Sequence, residues 1–492
     1  MLGSLTASDS LGGIKYGRQI VGGRGSPPAN DSSFIGLTFG RRFPVHIHEL
    51  VVSNHENSDH KELLGVGHFI DPKKPTASNR DVLSDLFQQT STFKELEHRL
   101  ATLGGRWILL SRFGDELRLY PDAAAQRPIF YCNTGAGLSI ASQPGLLASA
   151  GVTSSAADIQ RLWRSPSAVA WPAALTPYEG VRQLLPNHFL DLNSGSVRRF
   201  WPVRPVHSVD FEAGAQEMTA IITGVLAAVS ERHGRPALPL TGGIDSRVLF
   251  ACAKRERFQY FTIVDETSPF HDVWLPQRLA QRFNVDLDFI WATRGGARVE
   301  QLLRTNTGGL WRDPNERRTP AFAKIDAPIV VLGNVSEVCR AFYYPYVAQG
   351  TPVTAARLAE LAGWGAEPLA QAAFQEWISD VPSDMGINLL DLFYWECRLG
   401  NWAALDCLAL DGFADSLSPF NCRELLTLGL GVDAQFRKAP YALHRRICEL
   451  AEPTTLSLPI NTTFVDALRT NVIRLVPAAV RRTLRRHRGL DF

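Results

Sequence analysis

The sequence predicts a chain of two units. A sheet-based α+β unit covers residues 1–205. An α/β unit with a parallel sheet, passing into an all-helical C-terminal part, covers 206–492. Three observations carry this. At 492 residues the chain is too long for one ordinary core. Its first half holds short apolar runs between turn residues, the pattern of strands. From Phe211 onward, helical and strand patterns alternate, which argues for a parallel sheet covered by helices on both faces.

In the first unit the strand runs are Phe34–Phe39, Trp107–Leu110, Leu117–Tyr120, Pro128–Tyr131 and Leu138–Ala141. Gly114-Asp115 reads as a hairpin turn between two of them. The stretch Asn79–Leu100 has apolar residues recurring at three and four, which predicts a helix. In the second unit Phe211–Val229 has helical periodicity, and Pro236–Leu240 is a short buried strand. After it come Arg247–Lys254 (helix), Tyr260–Val264 (strand), Trp274–Phe283 (helix), Leu287–Ile290 (strand) and Pro328–Leu332 (strand). From Thr354 onward the pattern is almost wholly helical.

Composition narrows the function classes. Hydrophobic residues make up 45% and charged residues 20%, the balance of a globular protein and not of a disordered one. Lys and Arg number 51 against 49 Asp and Glu, a net charge of +2, so no nucleic acid is expected as partner. The seven cysteines are odd in number and none has C-x-x-C spacing, which argues against a disulfide scaffold or a zinc site. The start, MLGSLTASDSLGGIKYGRQ, lacks the basic and apolar segments of a signal peptide. No uninterrupted apolar stretch approaches the roughly 20 residues of a membrane helix. A cytoplasmic protein without a membrane span is expected. The end of the chain is basic, with Arg474, Arg481, Arg482, Arg485, Arg486 and Arg488. It reads as a solvated tail or as a surface for a partner.

The most informative segment runs from Leu238 to Phe250. An apolar strand enters Thr241-Gly242-Gly243, and a helix opens near Asp245 and Ser246. Two glycines let the backbone approach a ligand closely. The helix start aims unpaired N–H groups and a positive dipole end at the same place, and Thr241 and Ser246 add hydroxyls. This suits phosphate or pyrophosphate. Asp245 would repel bare phosphate, so it implies a Mg²⁺ bridging carboxylate and phosphate oxygens. No Lys follows the glycines as in a Walker loop, and G-x-G-x-x-G is absent. The alternative is a tight turn with Asp245 capping the helix.

Thr241-Gly242-Gly243-Ile244-Asp245-Ser246 resembles the S-G-G-x-D-S loop of N-type ATP pyrophosphatases, and the order of segments resembles the asparagine synthetase-like family. The runs Gly105–Leu110, Leu117–Asp122 and Arg127–Tyr131, with Ala141-Ser142, are similar to the later strands of that family's glutaminase-type Ntn-hydrolase-like sandwich. Asp272 stands where the family has an acidic residue ahead of a helix. Leu332-Gly333-Asn334-Val335-Ser336-Glu337 resembles its S-G-x-G-x-D-E loop. Leu392–Arg398 and Ser418–Arg423 resemble its D-R and P-F-L-D-x-R segments. Ser336 stands where a metal-binding Asp is expected.

The resemblance implies a degenerate glutaminase-like domain over 1–205 and an ATP-binding synthetase domain over 206–492. It implies an AMP-forming ligase that adenylates a small-molecule or peptide carboxylate and couples it to an amine, with ATP and Mg²⁺. Asp245 and Glu337 are expected to hold the metal. Leu240, Val264 and Leu332 should line the adenine pocket, and Gly242, Gly243, Asp245, Ser246 and Gly333 should surround the phosphates. Arg398 or Lys438 would stabilise the leaving group. Glutaminase activity is not expected: Leu2 follows Met1 where glutamine-dependent relatives carry a nucleophilic Cys, and the first cysteine is Cys132. Two other readings stay open: a nucleotide-binding but non-catalytic partner protein, motivated by Ser336, and a nucleic-acid-modifying enzyme, motivated by the basic tail. A partner protein or a second copy of the chain is also left open.

Overall fold

The computed structural model describes residues 18–24, 34–40, 42–48, 50, 52–57, 60–134, 137–149, 170–266, 268, 271–292, 296–307, 318–348 and 350–460. The residues discussed at the start of the chain (Leu2) and the six C-terminal arginines lie outside them.

The described residues form a mixed α/β protein with two antiparallel sheets and one parallel sheet. The strands of the first half are β1 (Ile20–Gly23), β2 (Phe34–Phe39), β3 (Phe43–His48), β4 (Val52–Asn57), β5 (Lys61–Ile70), β6 (Gly104–Phe113), β7 (Glu116–Pro121), β8 (Phe130–Thr134), β9 (Gly137–Ala141), β10 (Arg182–Gln183), β11 (His188–Asp191) and β12 (Val197–Arg199). One sheet has the order β10-β8-β9-β1-β3-β2 and the other β12-β11-β7-β6-β5-β4. Their inner faces meet through Leu64, Val66, Ile108 and Leu110 on one side and Ile20, Val45, Ile47 and Ile140 on the other. The alternate residues Leu63, Phe69, Trp107 and Leu109 pack in a second cluster with Leu83, Leu86 and Leu96 from two covering helices. Burial on both faces explains why β5 is apolar without strict alternation. Between β6 and β7, Gly114 has φ +61°, which the two-residue connection expected there requires.

The expected single helix over Asn79–Leu100 is two, Asn79–Gln89 and Phe93–Ala101. The cause is local. Thr92 Oγ1 accepts from Glu95 N at 3.2 Å and the Glu95 carboxylate accepts from Thr92 N at 3.2 Å, a capping box that starts a second helix.

The second half contains β13 (Ala237–Pro239), β14 (Gln259–Val264), β15 (Leu287–Trp291), β16 (Val330–Val331) and β17 (Ser416–Leu417), all parallel, in the order β15-β14-β13-β16-β17. The stretch after Thr354 is therefore not wholly helical. Ser416-Leu417 adds an edge strand, too short to show a period in sequence. The chain builds β13, β14 and β15 to one side, then returns to the other side of β13 for β16. The order reverses between β13 and β16, and such a switch point opens a crevice at the strands' carboxyl ends.

Helix Phe211–His233 is long and apolar enough to cross a membrane by length and composition, but 61% of its most apolar stretch is buried inside the protein. It runs against the first unit closely enough that a Cβ at Gly224 would overlap the Pro72 carbonyl.

Polar side chains join the two halves. Arg106 on β6 makes a two-pronged pair with Asp411, at 2.6 and 2.8 Å, with both side chains buried. Asn421 donates to Gly105 O at 2.7 Å and Asp122 Oδ1 at 2.9 Å, and accepts from Ala124 N at 2.8 Å. Glu396, on the π-helical turn Tyr394–Leu399, takes Arg199 and Asn187 of the first half and Trp377 of the second.

Candidate active site

The site is built where β13 and β16 end. Beyond β13, Leu240 is buried. Its N–H donates to Phe261 O at 2.9 Å, and its carbonyl accepts from Thr262 Oγ1 at 2.5 Å. That anchoring fixes the departure of Thr241-Gly242-Gly243 into helix Ile244–Cys252. Gly243 is the N-cap, in an extended conformation, and it supplies no side-chain cap. The helices at Asn79 and Phe93 have capping hydroxyls. Here the first-turn N–H groups face the crevice without a capping side chain, which suits an anion.

The two hydroxyls brace the loop. Thr241 Oγ1 and Ser246 Oγ are 2.7 Å apart; Ser246 Oγ accepts from Thr241 N and Thr241 Oγ1 from Gly243 N, each at 3.2 Å. They hold the loop open and leave ligand contact to the backbone of 242, 244 and 245. Arg247, fully buried, ties the same helix to the turn Pro453–Ser457 and the residue after it by donating to Thr455 O at 2.6 Å and Leu458 O at 3.1 Å.

The second loop follows β16. Leu332 N donates to Leu417 O at 2.8 Å. A Cβ on Gly333 would lie 3.7 Å from both Asp245 Cβ and Ser246 N, so this loop rests on the start of the first helix. Val335 is buried at φ +80°, a backbone region costly to a β-branched residue and found at ligand clamps. Ser336–Arg340 then form a 3₁₀ turn. Because β14, β13 and β16 are neighbours, the buried residues Leu240, Val264 and Leu332 stand at one edge of the sheet.

Asp245 and Glu337 interact electrostatically with each other and with Arg340. Asp245 Oδ2 accepts from Arg340 Nη1 at 2.6 Å, and Oδ1 accepts from the Ser336 hydroxyl. Arg340 lies 4.7 Å from the Tyr441 ring centroid, and its Nη2 reaches Tyr441 Oη at 3.5 Å. Burial and then the Asp245 charge push the Glu337 carboxyl up to about 7, against the opposing pull of Arg340. Its Oε2 is enclosed without a hydrogen-bond partner among the described residues. Burial pushes His444, on helix Ala442–Ala451, down to about 4. Burial alone would lower Arg340, but Asp245 and Glu337 raise it above the ordinary arginine value.

Lys438 is exposed, on the turn that carries Tyr441 over Arg340. Arg398 is half-buried, 5.1 Å from the Phe342 ring centroid and with Nη1 3.5 Å from Tyr343 Oη. Those aromatics follow Arg340 in sequence, so Arg398 stands behind the second loop. Tyr394 and Trp395 are core residues, and Trp395 Nε1 donates to Ala123 O at 2.8 Å. Asp272 falls in the first turn of helix His271–Phe283.

Sequence reasoning missed Arg340, Tyr441 and His444. The signal for Arg340 was its position three residues beyond Glu337 on a short turn. Tyr441 and His444 arrive from a hundred residues away and carry no such signal.

No family model matches the chain, and no curated protein matches it. Among solved structures the chain is similar to a glutamine phosphoribosylpyrophosphate amidotransferase from B. subtilis complexed with ADP and GMP. The identity is 11% and the TM-score 0.25, over 61% of this chain and 89% of that one. It is also similar to an allosteric regulatory enzyme of purine biosynthesis (9%, TM-score 0.25, 68% and 74%). A third is a glutamine-dependent NAD+ synthetase from Acinetobacter baumannii in complex with ADP (14%, TM-score 0.20, 48% and 51%). Overlaps this slight carry no argument, and the reading of the site rests on its own geometry.

Proposed function

We propose that this chain is an ATP-dependent, AMP-forming amide ligase of asparagine synthetase-like architecture. One observation carries the reading. An uncapped helix start at the switch point of a parallel sheet faces a second loop whose Gly333 lies against it. In this reading pyrophosphate sits at the uncapped helix start beside the second loop, with Leu240, Val264 and Leu332 at the strand ends on the adenine side.

In the proposed reaction a substrate carboxylate oxygen attacks the α-phosphorus of ATP. The bond to the β-phosphate oxygen breaks, and pyrophosphate leaves. An amine nitrogen then attacks the activated carbonyl, AMP departs with the bonding pair, and the amine gives up a proton. The backbone N–H groups of 242, 244 and 245 offset charge on the leaving pyrophosphate, a preorganised electrostatic contribution. Mg²⁺ would supply further charge compensation on the phosphates. As folded, the expected metal pair does not fit a protein-held ion: both Asp245 oxygens are engaged, by Ser336 and Arg340. Among the described residues no three His, Cys, Asp or Glu side chains are grouped to hold a metal. No step is assigned to such an ion.

The first unit serves as a scaffold in this reading. Gln126 donates to Asn334 of the second loop at 2.9 Å, so the sandwich reaches the nucleotide site directly. Cys132 lies on β8 with its thiol pushed up by burial, the opposite of what a nucleophilic thiolate needs. The engagement of Asp245 favours a second reading, a nucleotide-binding partner without turnover. Pyrophosphate release from ATP with a panel of carboxylic acids and amines separates the two. Release by the native protein, lost in Asp245→Asn, supports the ligase; ATP binding without release supports the second reading.

A further inference from the structure

We propose that Arg340 is the resident cation of the phosphate site, taking the charge role that a protein-held divalent ion would otherwise take. The inference rests on the phosphate-binding reading above and specifies what meets the phosphates there.

Four observations converge on it. Arg340 is on the turn after Gly333, and Gly333 packs on the start of the phosphate helix. Its guanidinium is fixed on one edge by Asp245 at 2.6 Å and on one face by the Tyr441 ring at 4.7 Å. Nη2 is little used, with only a 3.5 Å contact to Tyr441 Oη, whereas Nε is enclosed and has no hydrogen-bond partner among the described residues. The position that would complete a carboxylate pair for a metal is Ser336, whose hydroxyl donates to Asp245. A planar fork with donors to spare matches phosphate oxygens better than a point charge does.

Asp245 then holds Arg340 and does not ligate metal. Metal travels with the nucleotide if at all, and the protein's own affinity for pyrophosphate does not require it. This gives Asp245 and Arg340 opposite effects on binding, which metal ligation would not. Removing the Asp245 charge frees the guanidinium for the anion, whereas removing the guanidinium leaves the anion facing a carboxylate.

The test is calorimetric titration of inorganic pyrophosphate and of ATP into the full chain, once with EDTA and once with Mg²⁺, with Mn²⁺ alone titrated in parallel. The native protein should bind pyrophosphate in EDTA. Arg340→Gln should weaken it by about tenfold or more, with Arg340→Lys between. Asp245→Asn should tighten it, and this arm decides the matter if Arg340→Gln does not fold. Mn²⁺ alone should not bind. Pyrophosphate bound only with Mg²⁺, and equally by native protein and Arg340→Gln, overturns the inference while leaving the ligase reading intact. So does Mn²⁺ bound by the native protein and lost in Asp245→Asn. Absence of both ATP and pyrophosphate binding under every condition overturns the inference and the proposed function together.

Discussion

Asp245, Arg340, Glu337 and His444 form one electrostatically linked unit, the first three half-buried and His444 buried, and Glu337 and His444 are shifted in opposite directions. The Glu337 carboxyl is raised from 4.5 to about 7 by burial and by Asp245. Folding therefore takes up a proton in that window, and the group's contribution to stability falls as pH rises through it. His444 is lowered from 6.5 to about 4 by burial. Between those values the unfolded chain holds the extra proton, so its contribution rises with pH. Relative to native protein, Glu337→Gln should gain stability between about pH 4.5 and 7. His444→Gln should lose stability between about pH 4 and 6.5. Urea unfolding at four pH values decides this; parallel trends for both variants would refute the assignment. In turnover, Asp245→Asn should lower pyrophosphate release by a hundredfold or more, about 3 kcal/mol in the barrier, because Arg340 loses its anchor. Near-native release from that variant would remove Asp245 from the site. At this scale the sequence named Asp245, Gly333 and Glu337 through local motifs. Arg340, three residues beyond Glu337, was within reach of the same motif, but Tyr441 and His444 come from about a hundred residues further on and carry no local pattern.

The elements show why some spans were legible and others were not. Strands β13 and β14 and helix Ile244–Cys252 are short, apolar and bounded by turn residues, and each falls within a few residues of its expected place. The loop between β13 and that helix was read from its glycines and from the alternation around it. The stretch Asn79–Leu100 was misread because two helices in sequence keep one apolar period, while the break is made by a side chain, Thr92. Replacing Thr92 by Ala should cost about 1 kcal/mol, the usual value of an N-cap. The effect should appear as faster amide exchange in Phe93–Ala101, where protection unchanged from native would show that tertiary packing alone sets that start. Strand β17 was invisible because its two residues, Ser416 and Leu417, owe their conformation to pairing with β16.

Across the whole molecule, the two halves of the chain are joined through buried charge and amide networks. Nothing local in the sequence marks Arg106 and Asp411, 305 positions apart, as partners. Both side chains are buried, and their pairing is bidentate. Asp411→Ala would leave Arg106 enclosed without its main counter-charge, which should cost about 3 to 5 kcal/mol. Calorimetry should show a lower melting temperature with the loss shared by both units. An unchanged melting temperature would mean that the pair contributes nothing net. The same interface brings Gln126 to Asn334, so a loosened joint should also weaken ATP binding.

Adenylation at the β13–β16 crevice would be settled by the identity of the nucleotide product. The protein is incubated with ATP labelled at the α-phosphate and, in parallel, at the γ-phosphate, with a panel of carboxylic acids and amines, and the products are separated by chromatography. The phosphate loop lacks the lysine that P-loop enzymes place on the β and γ phosphates. Labelled AMP and labelled pyrophosphate are therefore expected in equal amounts. ADP and inorganic phosphate as the main products would contradict adenylation.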